Sequence, residues 1–405
     1  MTKNSESKSN KLALEQNSIN LSKRRTRNIL GIIGLAGIVY MLLFPRQNNK
    51  TQIDEQNRLR RDVEHSTSNA QHRMKGKDQF LSNKHGMTAV IAERTFPVMG
   101  TIAQYKLCGE PKLVQQAADK VRDTFFEIEK LCNIFDKNSE ISQLNHTAAN
   151  KPFKCSSLLW AVLMESKSAY KLSHGAFDIT ARPLMKLWGF YRKRGDSLPT
   201  TAELKMALKN IGTNKVIFDE IAHTVKFSQP GISFDLGGIA KGFAVDQAVK
   251  AVKKLGINSG IINLAGNMYC FPEPFPQRQA YRIGIKDPLN KKQLCGYIDL
   301  LDCSLATSGD YERYVTIKGK RYTHIMDVRT GKPITKMLSV TVITPSACVA
   351  DYLSTSIFIN GKTFAKQICE KIPGTQVLII QENDNGEPEQ IKFGSSWQLN
   401  AKRTL

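Results

Sequence analysis

Apolar residues in this chain follow two periods and one unbroken run. The run is Ile29–Phe44 (ILGIIGLAGIVYMLLF), which carries no charge. The 3.6-residue period is clearest across Pro111–Phe135, where Val114, Ala118, Val121, Phe125, Ile128 and Leu131 share one face and predict an amphipathic helix. Further helices are expected over Ser156–Leu172, ended by His174-Gly175, over Thr201–Lys209, after Gly238, and over Ser346–Phe358. Ser139 begins a capping turn over Ser139–Asn145. Short apolar stretches between them predict strands at Thr88–Ile91, Ile102–Leu107, Gly260–Leu264, Tyr281–Asp287, Ser339–Ile343 and Gln376–Gln381. Lys215–Phe218 and Thr224–Phe227 read as one hairpin, and Tyr311–Ile317 and Arg321–Met326 as two arms hinged at Lys318-Gly319-Lys320. No repeat of fixed period is present. Short strands alternating with four or five helices predict an α+β fold, one domain of about 310 residues.

The rest is organised around Gly231–Asp246 (GISFDLGGIAKGFAVD). The apolar run Ile232–Phe234 predicts a strand ending in Asp235. Gly237-Gly238 then allow backbone to approach a ligand, and the helix that follows offers free N–H groups to an anion. Lys241, one turn in, is a ready counter-charge for phosphates. The same pattern also suits a plain strand-to-helix turn with a solvated lysine.

Residues 1–28 form a polar tail ending in the basic cluster Lys23-Arg24-Arg25-Thr26-Arg27, ahead of the apolar run. No A-x-A cleavage site follows, and Ile38 stands where a lipoprotein box would need cysteine. An uncleaved signal anchor over residues 29–45 is expected, basic side in the cytoplasm, with a cleaved signal peptide as the alternative. Residues 46–87, charged and poor in large apolar side chains, read as a tether, and residues 88–405 as the folded domain. That arrangement implies a single-pass protein of a bacterial inner membrane with its domain in the periplasm.

The formal charge is +22, from 58 Lys/Arg against 36 Asp/Glu. Residues 1–92 hold 16 Lys/Arg and 7 Asp/Glu, so +9 sits ahead of the fold and +13 within it. No arginine-rich helix, aromatic RNA-binding strand or zinc knuckle accompanies the charge, and no nucleic-acid partner is expected. The eight cysteines form no C-x-x-C pair, so neither a zinc site nor a thioredoxin-like motif is expected. Their wide scatter reads as buried thiols rather than disulfides.

Polar residues gather at element ends: Asp178, Asp235, Asp310, Asp327, and Asp351 with Thr355 at i and i+4 on one helix face. Oxygen donors alone, with a backbone carbonyl, suit Mg²⁺ better than zinc. An Asp in a first helical turn also favours the helix dipole, and a Thr can bond back along its helix, so spacing leaves both readings open. His324, after Tyr322-Thr323, suits either a structural residue or a base.

Seven stretches in chain order resemble the ApbE family of flavin transferases. They are Val98-Met99-Gly100-Thr101; Ser139-Glu140-Ile141-Ser142 with Leu144-Asn145; Gly175-Ala176-Phe177-Asp178; Asp235-Leu236-Gly237-Gly238-Ile239-Ala240-Lys241-Gly242; Ala306-Thr307-Ser308-Gly309-Asp310-Tyr311; His324-Ile325-Met326-Asp327 with Arg329-Thr330-Gly331; and Ala350-Asp351 with Leu353-Ser354-Thr355. The likeness covers about residues 93–390.

The resemblance implies a Mg²⁺-dependent enzyme that moves the FMN half of FAD onto a protein threonine or serine and releases AMP. It implies Asp351, Thr355 and the Gly238 carbonyl as metal ligands. FAD contacts are implied for Met99, Phe135, Ala176, Phe177, Asp178, Asp235, Lys241, Ile325 and Cys348, and His324 is implied as base for the acceptor hydroxyl. Acceptors would be exported or membrane-bound redox subunits with a motif rich in Asp, Gly, Ser and Thr. FAD hydrolysis to FMN and AMP, an anchored FAD-binding module without turnover, and a binder of anionic surfaces are the competing functions. Three departures stand out: Val328 where the family usually has Pro, Ala265-Gly266-Asn267 where it usually has Gly-Gly-Asp, and Phe135 where Tyr is frequent.

Overall fold

The computed structural model describes residues 75–82, 88–273, 280–290 and 292–399. The expected tail 1–28, the anchor 29–45 and the tether up to residue 74 lie outside them. Among the described residues no helix is long and apolar enough to cross a membrane.

Nine strands build one sheet: β1 (Lys75–Ser82), β2 (Thr88–Val98), β3 (Thr101–Gly109), β4 (Ser259–Leu264), β5 (Asn267–Cys270), β6 (Cys303–Gly309), β7 (Met337–Thr344), β8 (Gln376–Glu382) and β9 (Pro388–Phe393). They hydrogen-bond in chain order, and every neighbouring pair is antiparallel. The α+β fold expected from the pattern is thus a meander with excursions. The connection from β3 to β4 carries α1 (Pro111–Cys132), α2 (Glu140–Thr147), α3 (Ser157–Leu172), α4 (Arg182–Leu187), α5 (Thr201–Lys209) and α6 (Ala240–Lys254); that from β7 to β8 carries α7 (Ala347–Lys371).

Period-two burial assigns the two faces of the sheet. Val340, Val342, Val377 and Ile379 join the main core, which includes Val121 and Phe125 of α1, Val245 and Val252 of α6, and Leu353 and Ile357 of α7. Ile343, Leu378 and Ile380 point the other way, joined by Leu338 where a register shift between Met337 and Ser339 breaks the period, against Ile285, Ile298 and Trp397 of a three-stranded sheet (Tyr281–Lys286, Leu294–Leu300, Trp397–Leu399). A third small core joins α4 and α5 to the hairpin Tyr314–Ile317/Lys320–Thr323 through Leu184, Trp188, Ile211 and Ile317.

Four sequence expectations need correction. The sheet begins before residue 88: β1 pairs along its length with β2, and Arg94 holds Asp78 at 2.6 Å, so the end of the expected tether is an edge strand. Its polar sequence hides it, because an edge strand need bury little. Ile232–Phe234 is not a strand; the Asn145 side-chain amide bonds the Phe234 backbone both ways instead, at 2.9 and 2.6 Å, as a strand neighbour would. The first helix ends at Cys132 rather than Phe135. The last helix runs past Phe358 to Lys371, broken rather than ended at Gly361, whose φ of 75° and ψ of −165° only glycine tolerates readily. α4, β5, Leu294–Leu300 and β9 lacked enough pattern to be anticipated.

Candidate active site

α6 and α7 cross at their N-terminal turns, and glycine makes the crossing possible. A Cβ on Gly242 would lie 2.3 Å from the Ala347 carbonyl oxygen and 2.7 Å from Asp351 Cβ. Without one, the Gly242 N–H, an orphan donor of a first helical turn, reaches Asp351 Oδ2 at 3.0 Å. A second clamp lies one turn further along α6. Asp246 accepts from Ser346 Oγ at 2.6 Å, Ala347 N at 2.7 Å and Cys348 N at 2.9 Å, while Ser346 itself caps Val349 N. The carboxylate thus sits on the positive end of α7 and fixes it to α6.

Asp351 is 5% exposed. Burial pushes its pKa up, partly offset by Lys241 and the Gly242 N–H. Its nearest cation is Lys241 Nζ, 3.7 Å from Oδ2, and that ammonium is shared with the Gly237 carbonyl at 3.0 Å. Oδ1 accepts from no donor among the described residues. Thr355 stands one turn on, its Oγ1 3.3 Å from Ser308 Oγ of β6, which also bonds Ser354 Oγ at 2.8 Å. Gly238 faces the same space: a Cβ there would lie 3.8 Å from Thr355 Oγ1 and 3.0 Å from the Phe177 ring. The donor set is therefore a buried, under-compensated carboxylate, a hydroxyl and a glycine backbone, all oxygen. It fits a hard divalent cation such as Mg²⁺.

Asp235 lies on the approach to this pocket. It accepts from the Tyr191 hydroxyl through Oδ2 and from Gly237 N through Oδ1 at 2.8 Å. Burial, then the Asp235 charge, raise the Tyr191 pKa, so Tyr191 stays a neutral donor. Its ring meets Phe135 edge-on at 5.7 Å. Phe135 is 52% exposed and lines a cleft of about 660 Å³ with Lys137, Asn145, His146 and Arg182.

His324 stands at the foot of the hairpin. Its backbone N–H and its Nδ1 both meet the Arg313 carbonyl, at 3.1 and 2.9 Å. A carbonyl only accepts, so Nδ1 carries the proton and Nε2 keeps its lone pair. Burial, followed by the charge of Arg313, lowers the pKa to about 4, so the ring is neutral near pH 7.

The ApbE family model matches residues 99–379. The chain belongs to the ApbE family. Curated relatives named FAD:protein FMN transferase include one from Klebsiella pneumoniae, 32% identical over 300 residues (71% of this chain, 92% of that protein), and one from Haemophilus influenzae, 30% identical over 298 residues (71% and 86%). Among solved structures, the ApbE protein of Thermotoga maritima aligns with a TM-score of 0.68 at 29% identity, covering 74% of this chain and 96% of that one. Flavin transferase ApbE of Vibrio cholerae aligns at 0.65 and 27%, covering 78% and 97%.

Within this ApbE chain the remaining sequence-predicted residues take distinct places. Met99 occupies a left-handed turn (φ 53°) between β2 and β3, its N–H given to Glu129 Oε1 at 2.8 Å. Ala176 and Phe177 are buried, and Phe177 packs against Gly238 and Tyr352. Asp178 turns its carboxylate inward onto the Thr180 and Thr213 N–H and hydroxyl groups, all within 3.0 Å, so it fixes the loop rather than facing the pocket. Ile325 is buried, and its carbonyl accepts from Ile334 N at 3.0 Å. Cys348 is buried with its N–H on Asp246, and burial drives its thiol pKa well up. Asp246, Tyr191, Ser308 and Arg313 escaped the sequence reading. Asp246 left a trace as the acid that closes the Gly231–Asp246 stretch, and Ser308 as a member of the Ala306–Tyr311 stretch, but neither was given a role. Asn267, in place of the usual acid, is buried at the start of β5, and Val328 is buried in the α4–α5 core.

Proposed function

We propose that this chain transfers the FMN moiety of FAD to a threonine or serine hydroxyl of a redox protein and releases AMP. The observation that carries this is the convergence of Asp351, Thr355, Gly238 and Lys241 where two helix N-termini cross, inside the span matched by the ApbE family. Asp351, Thr355 and the Gly238 carbonyl are the groups that would hold Mg²⁺. A cation there would neutralise pyrophosphate charge, the main requirement of phosphoryl transfer.

The chain's own groups supply the rest. Lys241 turns its ammonium to the pyrophosphate, and the first-turn N–H groups of α6 add to the positive field. Phe177, Met99 and Ile325 give apolar surface for the flavin, with Phe135 at the cleft mouth. Asp235, held by Tyr191, accepts a hydrogen bond from the nucleotide. His324 Nε2 accepts the proton of the acceptor hydroxyl, orienting its oxygen for in-line attack on the FMN phosphorus. The new phosphoester forms as the bond from the FMN phosphorus to the bridging oxygen breaks, and AMP departs with that oxygen and the bonding pair on its phosphate.

The apolar run and basic cluster of residues 23–44 support a membrane-anchored enzyme working in the periplasm. Protease added to intact spheroplasts would then digest the domain, and resistance until lysis would refute that placement.

The deciding measurement is the intact mass of an acceptor domain incubated with the protein, FAD and Mg²⁺. A gain of one FMN, with AMP released and both lost in Asp351→Ala, is expected. AMP with free FMN and no adduct would indicate hydrolysis, and intact FAD throughout would refute turnover.

A further inference from the structure

We propose, resting on the transferase function above, that the hairpin Tyr314–Ile317/Lys320–Thr323 is a docking arm for an acidic segment of the acceptor protein. Its two feet are site residues, Arg313 and His324, joined by the paired hydrogen bonds of His324 to the Arg313 carbonyl. Four residues per strand at about 3.3 Å each carry its tip about 13 Å from the feet. The tip is the two-residue turn Lys318-Gly319, with φ of 49° and 75°. One face, Val315, Ile317 and Tyr322, packs onto α4 and α5, while Tyr314, Thr316, Lys318, Lys320 and Arg321 are exposed.

The surface around the tip is strongly and locally basic. The loop Tyr191–Ser197 lies against it, with the Asp196 carboxylate accepting the Lys318 N–H. Residues 191–197 and 312–321 together hold seven cations against two carboxylates, Asp196 and Glu312. Arg194 pairs with Glu203 and Arg321 with Asp310 and the Tyr314 face. Arg192, Lys193, Lys318 and Lys320 have no carboxylate within ion-pair distance among the described residues. Four uncompensated cations, Lys318 and Lys320 on an arm rooted at the reacting centre and Arg192 and Lys193 on the loop beside it, fit an extended acidic peptide whose hydroxyl must reach His324. The placement beside the site favours that partner over a membrane surface.

Binding tests this independently of turnover. Fluorescein-labelled peptides with one threonine flanked by aspartates, or by asparagines, would be titrated by anisotropy into FAD-loaded full-length protein. The aspartate peptide should bind about tenfold tighter, the sum of several exposed pairs, and lose that margin as salt rises from about 50 to about 300 mM. Lys318→Glu/Lys320→Glu should erase the margin while FAD affinity stays unchanged. Lys362→Glu/Lys371→Glu, the same charge change at the far end of α7, should keep it. Equal binding of both peptides, equal loss in the two variants, or a hairpin variant that loses only adhesion to phosphatidylglycerol vesicles would overturn the docking arm. Peptide binding as expected without FMN transfer would instead count against the transferase function alone.

Discussion

At the scale of single residues, burial works against the charge of Asp351, and Lys241 and the Gly242 N–H offset it only in part. Its raised pKa means that, without a bound cation, its contribution to stability grows as pH falls through that raised value. Asparagine holds the neutral form at every pH. Asp351→Asn should therefore melt no lower than the parent in EDTA, gain nothing from Mg²⁺, and transfer no flavin. The parent should gain about 2.7 kcal/mol at a hundredfold excess of Mg²⁺ over its dissociation constant. An asparagine variant that melts lower in EDTA, or that Mg²⁺ still stabilises, would remove Asp351 from the metal site. His324 gives a second test. With a folded pKa of about 4 against an ordinary 6.5, it is already neutral at pH 6. The acid limb of the transfer rate due to this ring should fall near pH 4; a limb near 6.5 that disappears in His324→Gln would contradict the buried neutral ring.

Elements set the next scale, where the crossing of α6 and α7 governs the geometry. An added methyl at Gly242 meets backbone, which cannot swing aside as a flexible side chain can. Gly242→Ala should cost about 1–3 kcal/mol, the usual range for overpacking, and weaken turnover more than FAD binding by shifting Asp351 away from Lys241. Unfolding curves and steady-state kinetics on one preparation would check both. A variant with parental stability and rate would mean that the helices tolerate a wider crossing. Gly242 stood in plain sight in the sequence, but its role did not, because the partner helix begins a hundred residues later.

For the whole molecule, period and punctuation revealed what is local. Pro111 and the Val114–Leu131 stripe marked α1, and Ser139, Ser156 and Ser346 marked three helix starts, each confirmed by a side-chain cap. Strands as short as Asn267–Cys270, buried at all four positions, were lost because nothing in four residues separates a buried strand from a loop. The metal-type pair was visible as i, i+4 spacing, whereas Tyr191, Ser308 and Arg313 become site residues only when loops far apart in sequence meet. β1 went unseen for a different reason, its polar edge-strand sequence. A chain starting at Lys75 should out-melt one starting at Thr88 by a few degrees, since about 1 kcal/mol moves the midpoint of a large domain by about 2–4 °C. Equal midpoints would make the edge strand dispensable.

The meander has a consequence for how the protein is made. Eight seams join strands that follow one another in this sheet, and half of them close over short loops, as between β1 and β2, β2 and β3, β4 and β5, and β8 and β9. The seam between β3 and β4 is different, since Gly109 and Ser259 are separated by six helices. During synthesis the β2–β3 edge must therefore wait with its outer hydrogen-bonding row open while those helices emerge. Loop closure over such a length is the slow entropic step. The long detour that builds the candidate pocket is thus also the interval in which a nascent chain is most exposed to mispairing with another copy.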